Sequence, residues 1–508
     1  MQVYTKERGR FMRILKRLVV VSVLAGIGMC GVCGRPCAGE QPGFSVLIRM
    51  MDIQDRWFRR HIVAPFAQSH HTKITVMTFD KFWDLEVMLQ LDAASKQPSI
   101  GVVKVPLEMT RPLASRMRAY DDMMDEKALR VLKEAFDPKA LALGTINGKL
   151  IYLPRKLETR MMVYLKSRVS EAVAGWGAFK TDINEALRAD NGYGLPAGYR
   201  LEADPNQWDF YDLFVVAYTW AHTPYFGIKM PRMAHRGKKY GGTVVGLTDR
   251  IYQLGGTAAD VLKVAVTPVV DMFVWESVFK KNGLYHPGMW QDPWSGGGIW
   301  NAMKDGKVFL AMMHQIDTFY IHGGTHPAMQ GYLVDPDDLG VAVMPRGVSF
   351  ALDENGRPVR TGGRRAGTSG WFWAIPKTAP KPGLCVEFAR WITNHENHLA
   401  ECRTFGMMPV RGDILVDLKA AFPKGWMADV FAVSVRQFAL NGTTTVPLVS
   451  AYTKIGKIYL EAWYDIVVGE HFGSSEGVDE HVIRERLNSI YAPRARKVFC
   501  TQGGHNAY

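Results

Sequence analysis

Cysteine is scarce in this sequence and unevenly placed. Of six in 508 residues, Cys30, Cys33 and Cys37 fall in the first 39, and only Cys385, Cys402 and Cys500 lie beyond. Outside that first stretch there is no Cys-x-x-Cys pair and no Cys/His spacing of the kind that holds zinc, so no metal ligand is assigned. An odd thiol count in an exported chain leaves at least one cysteine free. Cys385 and Cys402 flank what reads as one helical region, and a bridge between them needs a turn back. His322 and His326 stand four apart, but the Gly-Gly-Thr between them reads as a loop, not as a ligand-bearing helix. Catalytic signatures are also missing. No Gly-x-Ser-x-Gly, His-Glu-x-x-His, phosphate loop or Gly-x-Gly-x-x-Gly stands in a supporting context, so no catalytic residue and no cofactor is assigned. Internal repeats and low-complexity tracts are absent as well.

A long apolar run is lacking too. The stretch from Leu18 to Met29 is too short to span a bilayer comfortably. It follows Lys16 and Arg17 and precedes small residues, which is the pattern of a secretory signal peptide over residues 1–39, cleaved after Ala38 or Gly39. That leader also explains the charge. The chain carries a formal +13, and the first 39 residues contribute seven basic side chains against Glu7, leaving +7 for the rest. The remainder is not basic enough to call for nucleic acid. What is present is ordinary globular composition, 47% hydrophobic and 22% charged, in a chain long enough for more than one core.

The pattern after residue 40 alternates. Residues 44–50 read as a strand, 55–69 as an amphipathic helix, 73–78 as a strand, 81–93 as a helix and 100–105 as a strand. This is the signature of an α/β layer with a mostly parallel sheet. Helical segments follow near 204–221 and 257–282. Residues 183–203 and 229–245 are richer in Gly, Pro and charge and read as insertions or loops. From about 342 the chain is irregular, until residues 370–376 read as a strand and 386–392 as a helix.

Six phrases then occur in one order. They are FSVLIRMMD…WFRRHIVAPFAQSHHTKITVMT, INGKLIYLPRKLETRMMVYLKSRVSEA, WNAMKDGKVFLAMMHQIDTFY, LGVAVMPRG…TSGWFWAIPKTAPKPGLCVEFARWITNHENH, GMMPVRGDIL and YLEAWYDIVVGE. Together they resemble the extracellular solute-binding proteins of ABC importers, in the sugar-binding, maltose-binding-protein-like branch, over roughly residues 43–490. The resemblance implies a periplasmic-binding-protein-like type II fold: two α/β lobes joined by crossing segments, with a ligand cleft between them. It places the first lobe at 40–155 and 368–415, the second at 156–367 and 416–495, and a tail at 496–508. It implies a monomer outside the cytoplasm that takes a small solute to ABC importer permeases, with no chemistry done on it. Two departures stand out. Pro98-Ser99 replaces the usual Pro-Asp before the third strand, and Val105-Pro106-Leu107 stands where the family's acidic sugar ligand is expected.

Ligands of open α/β sheets sit beyond the carboxyl ends of strands. Asp52 ends the first strand, where it serves the ligand or caps the next helix. Lys104 lies in the third strand, and a cation there needs an anion from the ligand or from the protein. The resemblance adds Glu158 beside Arg155, Lys156 and Arg160 at the first crossing. It also adds Gln315 and Asp317 after the phrase KVFLAMMH, and Trp371 at the second crossing, where a ring plane suits a sugar face. Trp373 shares that strand face, and one of the pair can be core. Tyr240 is a further candidate. Trp290, Trp294 and Trp300 read as packing. Two alternatives remain open at this stage: a periplasmic sensor as partner, and a non-sugar anionic solute, since Lys104, Arg155 and Lys156 make the region basic.

Overall fold

The computed structural model describes residues 41–500 apart from 81, 324–330, 332–334, 423–424, 450 and 474–476. The leader and His326 lie outside the described residues.

Eleven strands form among the described residues: β1 (Gln41–Ile48), β2 (Thr72–Thr78), β3 (Ile100–Pro106), β4 (Thr145–Ile146), β5 (Lys149–Leu150), β6 (Leu153–Glu158), β7 (Arg160–Leu165), β8 (Met233–Ala234), β9 (Leu310–His314), β10 (Leu339–Ala342) and β11 (Ser369–Ala374). One sheet has the order β2-β1-β3-β11-β6, and a second has the order β10-β7-β9-β8. β3 is buried at every position, as expected for a strand covered on both faces. It runs parallel to β1, with Val46 opposite Val102. β11, however, runs antiparallel to both β3 and β6. The expected mostly parallel sheet is therefore mixed. The physical reason is connectivity: β11 returns from the other lobe along an irregular path, free of the helix crossover that forces parallel pairing.

Several elements differ from their sequence signals. The helix after β1 begins at Asp52 and runs to Ser69, with a π-helical turn at Arg59–Val63. Pro65 has no N–H to return to the preceding turn, which favours this widened turn just before it. Residues 183–203 and 229–245 are not all loop. Helix Lys180–Asn191 occupies the first part of one stretch, ending at Gly192 with φ 77°. Helix Gly241–Gln253 takes the end of the other. The expected helix at 257–282 splits into Ala258–Lys263 and Thr267–Lys281, broken at Val264 with φ 69° and restarted with Pro268 in its first turn. Cys385 and Cys402 sit on separate helices, Pro382–Ile392 and His395–Phe405, and both are buried free thiols. Helix Ala492–Cys500 carries regular structure into the stretch read as a tail.

Each sheet has its own aromatic packing. In the first lobe Trp373 stacks on Phe58 at 5.7 Å, while Phe44 and Phe66 meet Phe388 edge-on at 5.6 and 5.0 Å. In the second, Trp275 lies between Tyr211 and Phe350 at 5.0 and 5.1 Å and donates its indole N–H to Val348 O at 2.6 Å. Asn147 and Gly148 close the β4–β5 hairpin with φ 51° and 77°, which an Asn-Gly pair adopts at low cost.

Candidate functional site

The chain passes from one sheet to the other at a single residue. β6 belongs to the first sheet and ends at Glu158, and β7 opens the second at Arg160. The return passage, between β10 and β11, brings residues 366–368 alongside. Buried side chains staple the two passages together. The Asn441 amide donates to Thr159 Oγ1 at 2.9 Å and accepts from Ala366 N at 2.8 Å. Asp249 accepts from Gly367 N at 2.7 Å and pairs with Arg160, whose Nη2 also donates to Gly367 O at 2.7 Å. Gln315 accepts from Thr159 N and donates to Leu157 O, both at 3.2 Å. Gly370 serves the same region, because a Cβ there would fall 2.5 Å from Lys156 O.

Several predicted residues gather on the first-lobe side. Lys104 is buried in β3. Its ammonium donates to Arg49 O at 2.5 Å, at the carboxyl end of β1, and lies 4.1 Å from the Trp371 ring centroid. Trp371 is 8% exposed, and Trp373 is fully buried. Both rings are buried, Trp371 slightly the less so. Burial, with Arg155 and Lys156 nearby, holds the Lys104 pKa well below the usual lysine range. Arg155 is buried and ion-paired with Glu401. Lys156 pairs with Glu158, two residues on and on the same strand face. Burial alone would raise the Glu158 pKa, but Lys156 and the other nearby cations hold it below the usual carboxylate range.

A second group gathers at β9. Asp317 lies in the first turn of helix Gln315–His322, where it accepts from His314 N at 3.0 Å and from Arg236 at 2.7 Å. Burial raises its pKa and Arg236 opposes the rise. Tyr240 precedes helix Gly241–Gln253 and shares Arg236. Gln315 and Asp317 are thus occupied by the backbone they organise. Asp52 is exposed in the first turn of its helix, with Met51 at the cap. It stands outside the buried cluster, its charge toward the positive helix end.

Two observations join the groups. Glu158 interacts electrostatically with Lys156, Lys104 and His314, and Arg49 with both Tyr240 and Glu108. Groups of both lobes therefore face one another at the crossing. Glu108 was not singled out in the sequence. It is the second residue of helix Leu107–Leu113, one position past the triplet where an acid was missing. Burial pushes its pKa up to about 7. Arg236, Asp249, Asn441 and Glu401 carried no local signal, because each acts through a partner far away in sequence.

A cavity of about 20 Å³ lies beside the crossing, walled by Arg160, Arg236, Asp249, Arg250, Met313 and His314. This is room for about one water-sized group. Three of its wall residues hold buried nitrogens without a hydrogen-bond partner: Arg160 Nη1, Arg236 Nε and His314 Nδ1. Burial, with Arg236 and Arg160 beside it, holds the His314 pKa well below the usual range, so its ring is neutral. Arg155 Nε and Nη1 and the Tyr320 hydroxyl are likewise buried and unpartnered. The expected packing of Trp294 and Trp300 is present, against His286 and Tyr320, each at 4.6 Å.

Two lobes, two crossings and a polar seam between them define a solute-capturing protein. The chain belongs to a family of bacterial extracellular solute-binding proteins, whose model matches residues 61–424. Its members are binding proteins that work outside the cytoplasm. Solved structures with the same fold include maltose-bound MalE3 of T. maritima, at 15% identity and TM-score 0.62, covering 88% of this chain and 99% of that one. A ribitol complex of an ABC transporter solute-binding protein from Agrobacterium radiobacter K84 covers 92% and 100%, at 15% identity and TM-score 0.61. The cyclic alpha-maltosyl-1,6-maltose binding protein of Arthrobacter globiformis covers 92% and 100%, at 13% and 0.60. No curated protein matches the sequence.

Proposed function

We propose that this chain captures a carbohydrate or related polyol between its lobes and delivers it to the permease subunits of an ABC importer. The observation that carries this reading is the seam itself. Trp371, on inner strand β11 of the first sheet, puts a largely buried ring beside Lys104, and unpartnered N–H groups of Arg155, Arg160 and Arg236 lie in the same crossing region. A sugar presents apolar ring faces and a rim of hydroxyl oxygens, which those two kinds of group match. Relatives of the same fold bound to maltose and ribitol support the ligand class.

In this reading residues 1–39 are a signal peptide, the first lobe expected at 40–155 and 368–415 extends through β6 to Glu158, and the second runs from Arg160 to 367 with 416–495. The protein works as a monomer and does no bond chemistry. Asp52, Lys104, Glu158, Tyr240 and Trp371 face the solute, while Gln315 and Asp317 hold the crossing beneath it. The test combines calorimetry and X-ray scattering over neutral and acidic sugars and polyols. A bound sugar reduces the radius of gyration of the wild type, and Trp371→Ala weakens binding about tenfold. A panel in which no sugar binds or compacts the protein overturns the reading.

A further inference from the structure

Three nitrogens in the wall of the cavity beside the crossing are buried without a partner, and they call for opposite hydrogen-bonding roles. Arg160 and Arg236 place other fork nitrogens on Asp249 and Asp317, at 2.6 and 2.7 Å, which leaves Arg160 Nη1 and Arg236 Nε as donors. A guanidinium only donates, whereas a neutral imidazole has one donor and one acceptor nitrogen. Burial and those same two arginines keep the His314 ring neutral. With two cations beside the ring, the lone pair is favoured on the buried nitrogen, so Nδ1 accepts and Nε2 carries the proton. The other polar wall groups are spent. His235 keeps its ring nitrogens on Arg236 O and Glu276, each at 2.9 Å, and Arg250 is held by Glu276 and Tyr285. Two donors and one acceptor around about 20 Å³ match a single hydroxyl, which accepts from the arginines and donates to the histidine. A carboxylate oxygen has no proton for Nδ1 and would face Asp249, itself in the wall. The wall is reachable from the crossing, since His314 is part-exposed and Arg236 keeps 16% of its side chain exposed.

We infer that this cavity seats one hydroxyl group of the solute, with Arg160 and Arg236 donating to its oxygen and His314 Nδ1 accepting its hydrogen bond. His314 is then a specificity-determining residue, because it alone in the wall requires a donor. This rests on the carbohydrate reading above and deepens it, by naming where a hydroxyl is read and in which role. A solute that leaves these buried nitrogens unmade binds more weakly.

Purified protein is titrated calorimetrically with maltose, D-glucose and ribitol. For the tightest of these, His314→Leu should bind about tenfold more weakly than wild type. His314→Asn should stay within about threefold, because its amide oxygen stands near the place of Nδ1 and restores an acceptor. In wild-type protein carrying isotope-labelled histidine, the His314 Nδ1 resonance should be that of an unprotonated nitrogen and should shift when the same compound is added. That readout does not depend on any variant folding. Equal behaviour of the two variants, whether full affinity or a common loss, overturns this inference and leaves the carbohydrate reading standing. So does an Nδ1 that is protonated, or that does not respond to a bound sugar. Binding by none of the three compounds overturns both.

Discussion

Glu276 shows what a buried charge needs in order to be tolerated. It is fully buried, yet it accepts from His235, Trp463 and Tyr285, each at 2.9 Å, and pairs with Arg250 at 2.6 Å. Burial would raise its pKa, but Arg250 and His235 outweigh it and bring the group from 4.5 down to about 2. A carboxylate lowered on folding stabilises the native state above its unfolded pKa, and that contribution fades as pH falls from about 4.5 towards 2. Glu276→Gln should therefore cost roughly 3 kcal/mol at neutral pH, because Arg250 stays buried without its partner. It should also flatten the acid limb of stability, measured as urea midpoints from pH 2 to pH 7. Glu108 has the opposite sign. Its pKa is raised from 4.5 to about 7, so the native state holds a proton that the unfolded chain has lost. Stability falls as pH rises through that interval. Glu108→Gln should raise the melting temperature relative to wild type more at pH 8 than at pH 5, and an equal effect at both would refute the assignment.

At the scale of elements, the crossing is where the fold concentrates its polar bonds. Asn441 ends the long helix Gly425–Asn441 and touches both passages through one amide. Replacing it with Ala removes bonds to Ala366, Thr159 and Thr368 and strands buried partners, at about 1–3 kcal/mol for each one left unmade. Asn441→Ala should lower the chemical denaturation midpoint, and it should loosen amide exchange at residues 157–160 and 366–369 more than in β3. Uniform loosening across the molecule would argue against a local staple. The sequence disclosed these passages but not their fastenings. Short apolar runs marked β1, β3 and β11, and partly alternating residues marked β2, to within a few residues. Lys104 stood out as a charge in an apolar strand, and the resemblance pointed to Glu158. Asn441, Asp249 and Arg236 did not stand out, because polar residues on helices and in loops are common, and only a distant partner makes these ones special.

For the whole molecule, capture is a mass-action effect. A solute that binds only the folded, two-lobed state adds apparent stability of about 2.7 kcal/mol at a concentration one hundred times its Kd. The melting temperature should rise with ligand concentration without a plateau. Scattering should report compaction at the same concentrations if closure and binding are one equilibrium. A rise in melting temperature with no change in dimensions would mean that the ligand sits within one lobe.

The α/β class, the strand–helix order and the family resemblance came from the sequence alone, because periodicity and ordered phrases are local properties that survive without coordinates. The mixed first sheet, the helices within supposed loops and the split at Val264 were decided only by tertiary structure, where burial and backbone geometry override local composition. The approach of Arg236 and Glu108 to the crossing was likewise beyond sequence reasoning. Those side chains are far apart along the chain, and their charges acquire meaning only when burial sets which neighbour each one must satisfy.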